Sequence, residues 1–418
     1  MEKIVIEGGK PLQGEVSVNG SKNSVLPLMA ACILCDGEST LKNVPDLMDV
    51  RVMAEILTAL GAKIERSGNR LSIDSSGINK WVTEYEMVKK MRASVLTLGP
   101  LTVRFGKARV SLPGGCSIGE RPIDQHLKGL QALGTRVNIE SGYVETSAKK
   151  MKGAVVPLDV STVTGTENLM LAAVLTQGNT VIYNAACEPE VSDLANALNK
   201  MGAKITGIGT DIIRIKGVSS LKPLKNYETI PDRIEAGTLM VAVAATGGNA
   251  LIKGGRFDHL GTLAGKLMKA GAKVEETRAG IRVRADAKIT CADITTLPYP
   301  GFPTDMQAQF MALMCAADGI SIITENIFPQ RFMHIAEMKR MGADIKLIGN
   351  TAVVKGVEKI KGAKTMASDL RAGAALVVAG AAARGKSEIS RVYHIDRGYE
   401  RLDGKLERLG ASVWREKE

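Results

Sequence analysis

LGAKIERSGNRLSI, residues 60–73, ends one helix-like stripe at a glycine and opens a pair of short strands around a second turn. The same phrase returns as LGTRVNIESGYVET at 133–146, MGAKITGIGTDIIRI at 201–215 and AGAKVEETRAGIRV at 270–283. MGADIKLIGNTAVV at 341–354 and LGASVWREKE at 409–418 complete the set. The shared glycines, Gly61, Gly134, Gly202, Gly271, Gly342 and Gly410, lie 68 to 73 residues apart. A second marker, where an apolar stretch ends in glycine and a strand follows, recurs at Gly37, Gly106, Gly178, Gly248, Gly319 and Gly385, spaced 66 to 72. Two markers in register six times identify six copies of one unit of roughly 70 residues, longer than the usual solenoid periods.

Each unit repeats one grammar. A stretch apolar nearly all round, such as SVLPLMAACIL, NLMLAAVLTQ or AGAALVVAGAAA, reads as a buried helix. Its terminal glycine leads into a short alternating strand such as STLKNV, TVIYNA or SEISRV. A second helix follows with a one-sided apolar stripe, for example Leu47, Val50, Leu57 and Leu60, or Leu402, Leu406 and Leu409. The unit is therefore βαβαββ, and the fold class α/β. Six units divide most simply as three and three, with a seam in the polar, proline-bearing LKPLKNYETIPDR at 221–233. Each domain then has buried helices inside, sheets outside, and a ligand cleft is expected between the two. An open superhelix of six units is the plainer alternative.

Working outward to the whole chain, 418 residues are too many for one core. Apolar types make up 45% and charged types 24%, which excludes a disordered or fibrous chain. Aromatics are only 4%, so a base-stacking nucleic-acid surface is disfavoured despite a formal charge of +11. That charge suits anionic partners of some kind. MEKIVIEGGK at the start reads as a strand and turn with no secretory h-region, and no apolar run approaches the ~20 residues of a membrane span. The six cysteines lack secreted disulfide spacing, and no Cys/His cluster has zinc spacing. These features predict a cytoplasmic, reduced protein without a metal or cofactor.

Charge sits against the pattern at the first turns of the buried helices: Lys22-Asn23, Arg92, Thr164 to Asn168, Asp232-Arg233, Asp305, and Asp369 with Arg371. Helix N-termini carry unpaired N–H groups and a positive dipole end, so a gathering of them makes an anion site. Capping is the plainer reading of Asp305 or Asp369 alone. It does not explain Lys22, Arg92 and Arg371, cations placed where only an arriving anion offsets them. Cys116 differs from Cys32, Cys35 and Cys315, which lie in apolar stretches, because it sits in the glycine-rich, arginine-flanked PGGCSIGERPIDQH at 113–126. GAAARGKS at 380–387 matches the phosphate-loop pattern GxxxxGK[ST], but its helix ends at the glycine where a phosphate loop needs one to begin.

Lys22-Asn23, PGGCSIGERPIDQH, FPTDMQAQF at 302–310, RFMHI at 331–335, DLRAG at 369–373 and YHIDRGYER at 393–401 together closely resemble the enolpyruvyl transferases over the whole length. The resemblance implies two inverse α/β-barrel-like domains of three units each, at 22–229 (carrying the Cys116 loop) and at 1–21 with 230–418. The first and last strands would share a domain, and the active site would lie in the interdomain cleft. It implies transfer of the enolpyruvyl group of phosphoenolpyruvate to the 3′-hydroxyl of UDP-N-acetylglucosamine, with release of phosphate, toward peptidoglycan. No nucleic-acid, membrane or obligate protein partner is implied. Cys116 would protonate C3 of the enol and Asp305 would act on the hydroxyl proton, with Lys22 and Arg397 completing the catalytic set. Lys22, Asn23, Arg121, Arg331, Arg371 and Arg397 would hold phosphoenolpyruvate. Arg92, Arg121, Pro122, Ile123, Asp124, Gln125, Thr162, Val163, Thr164, Asp305 and Ile327 would contact the UDP-sugar. Where some members carry a lysine and a Ser-Val-Gly run, this chain has Val160, Thr162, Val163 and Thr164, which puts a lysine contact to the diphosphate in doubt; backbone N–H groups and the threonine hydroxyls could replace it. The rivals are the sibling enolpyruvylshikimate-phosphate synthases, whose GNAGTAMR-type block is absent here, and a basic nucleic-acid-binding protein.

Overall fold

The structure, a computed structural model, describes residues 2–89, 91–112, 122–286 and 288–418. It divides into two compact units, one of residues 2–19 and Pro231–Glu418, the other of residues 20–112 and 122–230. Each unit contains three four-stranded sheets.

One repeat shows why the sheets form. Strand Val155–Pro157 leads to helix Val163–Ala173, strand Asn179–Tyr183, helix Pro189–Lys200, and the pair Lys204–Thr206 and Ile212–Lys216. Asn179–Tyr183 lies in the middle, parallel to Val155–Pro157 and antiparallel to Ile212–Lys216, which in turn pairs with Lys204–Thr206. The parallel pair needs a crossover, and the buried helix supplies it. In all six repeats the glycine after the second helix takes the left-handed conformation, with φ from 89° to 115°. A side chain is disfavoured there, which explains the sequence marker. Gly37, Gly106, Gly178, Gly319 and Gly385 also have positive φ, whereas at the remaining copy Gly247 takes that role. Its neighbour Gly248 is required for a different reason: a Cβ there would stand 2.2 Å from the Leu12 carbonyl oxygen.

Two sheets are completed from distant sequence. Strand Glu2–Glu7 lies between Lys386–Ser390 and Ser412–Lys417, antiparallel to both, with Ile4 opposite Ile389. The chain's first strand therefore closes its last repeat. Tyr227–Glu228 is the parallel edge beside Glu38–Lys42, so the end of the second unit closes that unit's first sheet.

The apolar helices are interior. Arg233–Ala245, Gln307–Met314 and Leu370–Ala382 pack on one another, and every residue from Arg371 to Ala381 is buried. Leu98–Phe105 packs against Val163–Ala173 and against the turn Cys32–Leu34 that prolongs helix Lys22–Ala31. Each fully buried Leu, Val or Met contributes about 1.5–3 kcal/mol relative to exposure. Glycine lets these helices approach, since a Cβ on Gly99 would come within 2.4 Å of the Asn168 carbonyl oxygen. No helix among the described residues is long and apolar enough to cross a membrane.

Candidate active site

In the unit built on Pro231–Glu418, one carboxylate joins three segments. Asp305 lies in the tight turn Thr304–Met306 that enters helix Gln307–Met314. Its Oδ1 accepts from Arg331 Nη1 at 2.8 Å, and its Oδ2 accepts from Arg371 Nε at 3.0 Å and Nη2 at 2.8 Å. Both guanidiniums are buried, at 6% and 3% side-chain exposure, against 27% for the carboxylate. Burial alone pushes the Asp305 pKa up, but Arg371 and Arg331 outweigh it and hold the carboxyl well below its ordinary range. Asp305 is thus not a helix cap. Asp369 is one: its Oδ1 accepts from the Arg371 and Ala372 backbone N–H groups at 2.9 and 3.0 Å.

The guanidiniums are positioned from behind. Arg331 also donates to Thr304 Oγ1 at 2.9 Å, and that hydroxyl donates to Glu325 Oε2 at 2.9 Å. Glu325, fully buried, accepts through Oε1 from Thr296 Oγ1 and from the Ile327 and Phe328 N–H groups at 2.7–3.0 Å. This fixes the loop of half-buried Ile327. Arg371 lies over the Tyr399 ring at 5.3 Å, a cation–π contact, and the Tyr399 hydroxyl meets Thr238 Oγ1 and Gln309 Nε2. Arg397 ends the turn Val392–Arg397 and is close enough to His394 to help lower its pKa, after burial.

In the other unit, Lys22 and Asn23 begin helix Lys22–Ala31, and Lys22 Nζ meets buried Asp49 Oδ2 at 3.1 Å. The anions that offset cations at helix N-termini are therefore, for Lys22 and Arg371, the protein's own Asp49 and Asp305. Arg92 opens the turn Arg92–Thr97. Pro122 and Asp124 are exposed and Ile123 is buried. Gln125 is also buried, tied to Asp159 through its amide and to the Asp159 N–H at 2.9 Å. Thr162 caps helix Val163–Ala173 by accepting from the Gly165 N–H at 3.4 Å, and Val163 and Thr164 begin that helix half-buried. Cys116 and Arg121 lie outside the described residues.

Sequence reasoning missed Asp49, Glu325 and His126. Asp49 stands among the stripe positions of LMDVRV, an acidic residue at a buried place, and that was the available signal. His126 gives no local signal, because its partners are distant in sequence, and the Glu325 contacts to Thr296 and Thr304 are distant likewise, though it also holds the nearby Ile327 and Phe328 N–H groups. Of the cysteines, Cys32 and Cys315 are buried, with thiol pKa values pushed by burial up to about 12, whereas Cys187 and Cys291 are only half-buried.

Residues 6–406 match the family model of EPSP synthase (3-phosphoshikimate 1-carboxyvinyltransferase). A UDP-N-acetylglucosamine 1-carboxyvinyltransferase of Trichlorobacter lovleyi is 56% identical over 99% of both chains. One of Myxococcus xanthus is 54% identical over the full length of both. In three dimensions the chain resembles the enolpyruvyl transferase NikO of Streptomyces tendae, with a TM-score of 0.89 at 24% identity over 99% and 98% of the two chains. It also resembles an EPSP synthase of Acinetobacter baumannii, with a TM-score of 0.77 at 16% identity over both full chains, a likeness of fold alone.

Proposed function

The chain belongs to the EPSP synthase family of carboxyvinyltransferases, and from that premise we propose that it is the member acting on UDP-N-acetylglucosamine. It transfers the enolpyruvyl group of phosphoenolpyruvate to the sugar 3′-hydroxyl and releases phosphate, the first dedicated step of peptidoglycan synthesis. The observation that carries this reading is full-length identity of 53–56% to relatives bearing that name. The shikimate-phosphate alternative is supported by the name of the family model and by a likeness of fold at 16–17% identity. A cytoplasmic location belongs to the same proposal.

The reaction adds a proton to C3 of the enol, making C2 electrophilic. The sugar hydroxyl bonds to C2 and gives up its proton, forming a tetrahedral ketal. Loss of a C3 proton and of phosphate then restores the enol. Cys116 is the proposed C3 acid; an ordinary thiol pKa near 8.5 suits transfer in both directions. Lys22, Asn23, Arg121 and Arg397 are assigned to the phosphate, and Arg331 and Arg371 to the carboxylate of phosphoenolpyruvate. The geometry around Asp305 refines its role. With both oxygens accepting from guanidiniums it is a weak base. A substrate carboxylate taking over Arg331 or Arg371 would release one oxygen and raise its basicity, so base strength would arise only with phosphoenolpyruvate bound.

The test is phosphate release from phosphoenolpyruvate with each acceptor offered separately. Release with UDP-N-acetylglucosamine, and its loss in Cys116→Ser, supports the proposal. Release with shikimate 3-phosphate instead would overturn it.

A further inference from the structure

Behind the start of helix Val163–Ala173, four groups form one hydrogen-bonded chain whose direction can be assigned. Asn168 Oδ1 accepts from the Gly99 backbone N–H at 2.7 Å, and Asn168 Nδ2 donates to the Val95 carbonyl at 3.1 Å. A backbone N–H only donates and a carbonyl only accepts, so the amide cannot be turned round. The other Nδ2 hydrogen meets His126 Nδ1 at 3.0 Å. That ring nitrogen must therefore accept, which leaves the imidazole neutral with its proton on Nε2. His126 Nε2 lies 3.2 Å from Thr164 Oγ1 and must donate to it. The hydroxyl, already accepting from the ring, is left with its own hydrogen to give away, and no other partner for it occurs among the described residues.

We infer that Asn168 and His126 are positioning residues that hold the half-buried Thr164 hydroxyl as a donor aimed at an anionic ligand oxygen, the diphosphate of the nucleotide sugar. This rests on the proposed function for the identity of the ligand but not for the direction of the chain. Four further observations support it. His126 and Asn168 are buried, at 2% and 0% exposure, so water does not compete for their hydrogen bonds. Burial, then Arg92, lowers the His126 pKa to about 4 against a weaker opposing effect of Asp124, so the ring stays neutral. The Asn168–Gly99 contact depends on glycine, because a Cβ on Gly99 would come within 2.5 Å of Asn168 Oδ1. Thr164 also lies at a helix N-terminus, where the dipole favours an anion. A neutral relay thus supplies, without a lysine, a donor of fixed polarity.

Two measurements test this. In the free protein, nitrogen NMR of the His126 imidazole should show a neutral ring protonated on Nε2 at pH 7. A proton on Nδ1, or an imidazolium, would overturn the relay whatever the enzyme's substrate. In steady-state assays, Thr164→Val should raise KM for UDP-N-acetylglucosamine roughly tenfold to a hundredfold, the worth of one hydrogen bond to a charged group, with kcat within about twofold. Thr164→Ser should restore KM. Asn168→Asp cannot donate to Nδ1, so it reverses the relay and should match Thr164→Val, and the double variant should be no worse than either single one. Multiplying effects, or an unchanged KM in Thr164→Val, would overturn the relay's role in binding. No turnover of the sugar nucleotide by the wild type, with the Nε2 tautomer intact, would overturn the proposed function and leave the relay standing.

Discussion

Helices Val163–Ala173 and Leu370–Ala382 occupy the same place in their repeats, the third of each unit, yet their first turns carry opposite chemistry. The first is capped by a hydroxyl and backed by the uncharged Asn168–His126–Thr164 chain. The second is capped by a carboxylate and carries Arg371, itself held by Asp305. One backbone plan has thus been used for a neutral donor array and for a buried ionic one. A neutral array keeps its polarity without counter-ions, whereas buried guanidiniums need a carboxylate nearby at all times. Only the ionic array can exchange its carboxylate for one arriving on a substrate.

The strongest attempt to break that contrast is Asp305→Ala. It leaves two buried guanidiniums without their carboxylate, and removing one partner of a buried pair costs about 3–5 kcal/mol. Turnover should also fall by about two to four orders of magnitude if the carboxylate takes the hydroxyl proton. Denaturant unfolding and kcat measure the two effects. A stability loss below about 1 kcal/mol would mean that water or other groups already neutralise the arginines.

Acid should act on the neutral array first. His126 has a folded pKa of about 4, below its ordinary 6.5, so the unfolded chain takes up that proton first. Its contribution is present above about pH 6.5 and is lost as pH falls toward 4, by up to about 3 kcal/mol. The Asp305 pKa is lowered too, but because its charged form is favoured: it lies below the ordinary carboxylate value. Its contribution therefore persists to about pH 4 and fails only beneath that. His126→Phe should flatten the stability–pH curve between pH 6.5 and 4 by close to one proton. An unchanged slope would assign that acid sensitivity to other groups.

How much of this was legible depended on sequence distance. The left-handed glycines at Gly61 and its five counterparts are local requirements of one helix end, so the six repeats could be read directly. The resemblance located Asp305, Arg331 and Arg371 individually. Their pairing, across 26 and 66 residues, follows only from how the repeats pack. His126 and Asn168, 42 residues apart, were unreadable as a pair for the same reason. The cations at helix starts suggested an empty anion site, whereas Asp49 and Asp305 already face Lys22 and Arg371.

A smaller effect tests whether Arg397 belongs with the ionic array. Arg397→Ala should raise the phosphoenolpyruvate requirement roughly tenfold to a hundredfold, the loss of a charge-assisted contact of about 1.5–3 kcal/mol. The UDP-sugar requirement should change little. Equal changes for both substrates would give this arginine a structural task.

The smallest expected difference lies in the caps themselves. Asp369 accepts from two backbone N–H groups at 2.9 and 3.0 Å, and its charge also meets the positive end of the helix dipole. Thr162 accepts from one N–H at 3.4 Å and brings no charge. Cap removal costs about 0.5–2 kcal/mol in general. Asp369→Ala should therefore fall near the upper end and Thr162→Ala near the lower, measured by denaturant midpoints at pH 7. The order should narrow at high salt, because screening weakens the dipole interaction but hardly affects a neutral hydrogen bond. Equal losses at low salt would show that the carboxylate's charge is already spent on its neighbours. His334 is one such neighbour: Asp369 partly opposes the fall in its pKa, which burial drives to about 4. In that case Asp369→Ala should lower the His334 pKa further while leaving helix stability near that of Thr162→Ala, and the contrast between the two arrays would lie in the side chains rather than in the helix ends.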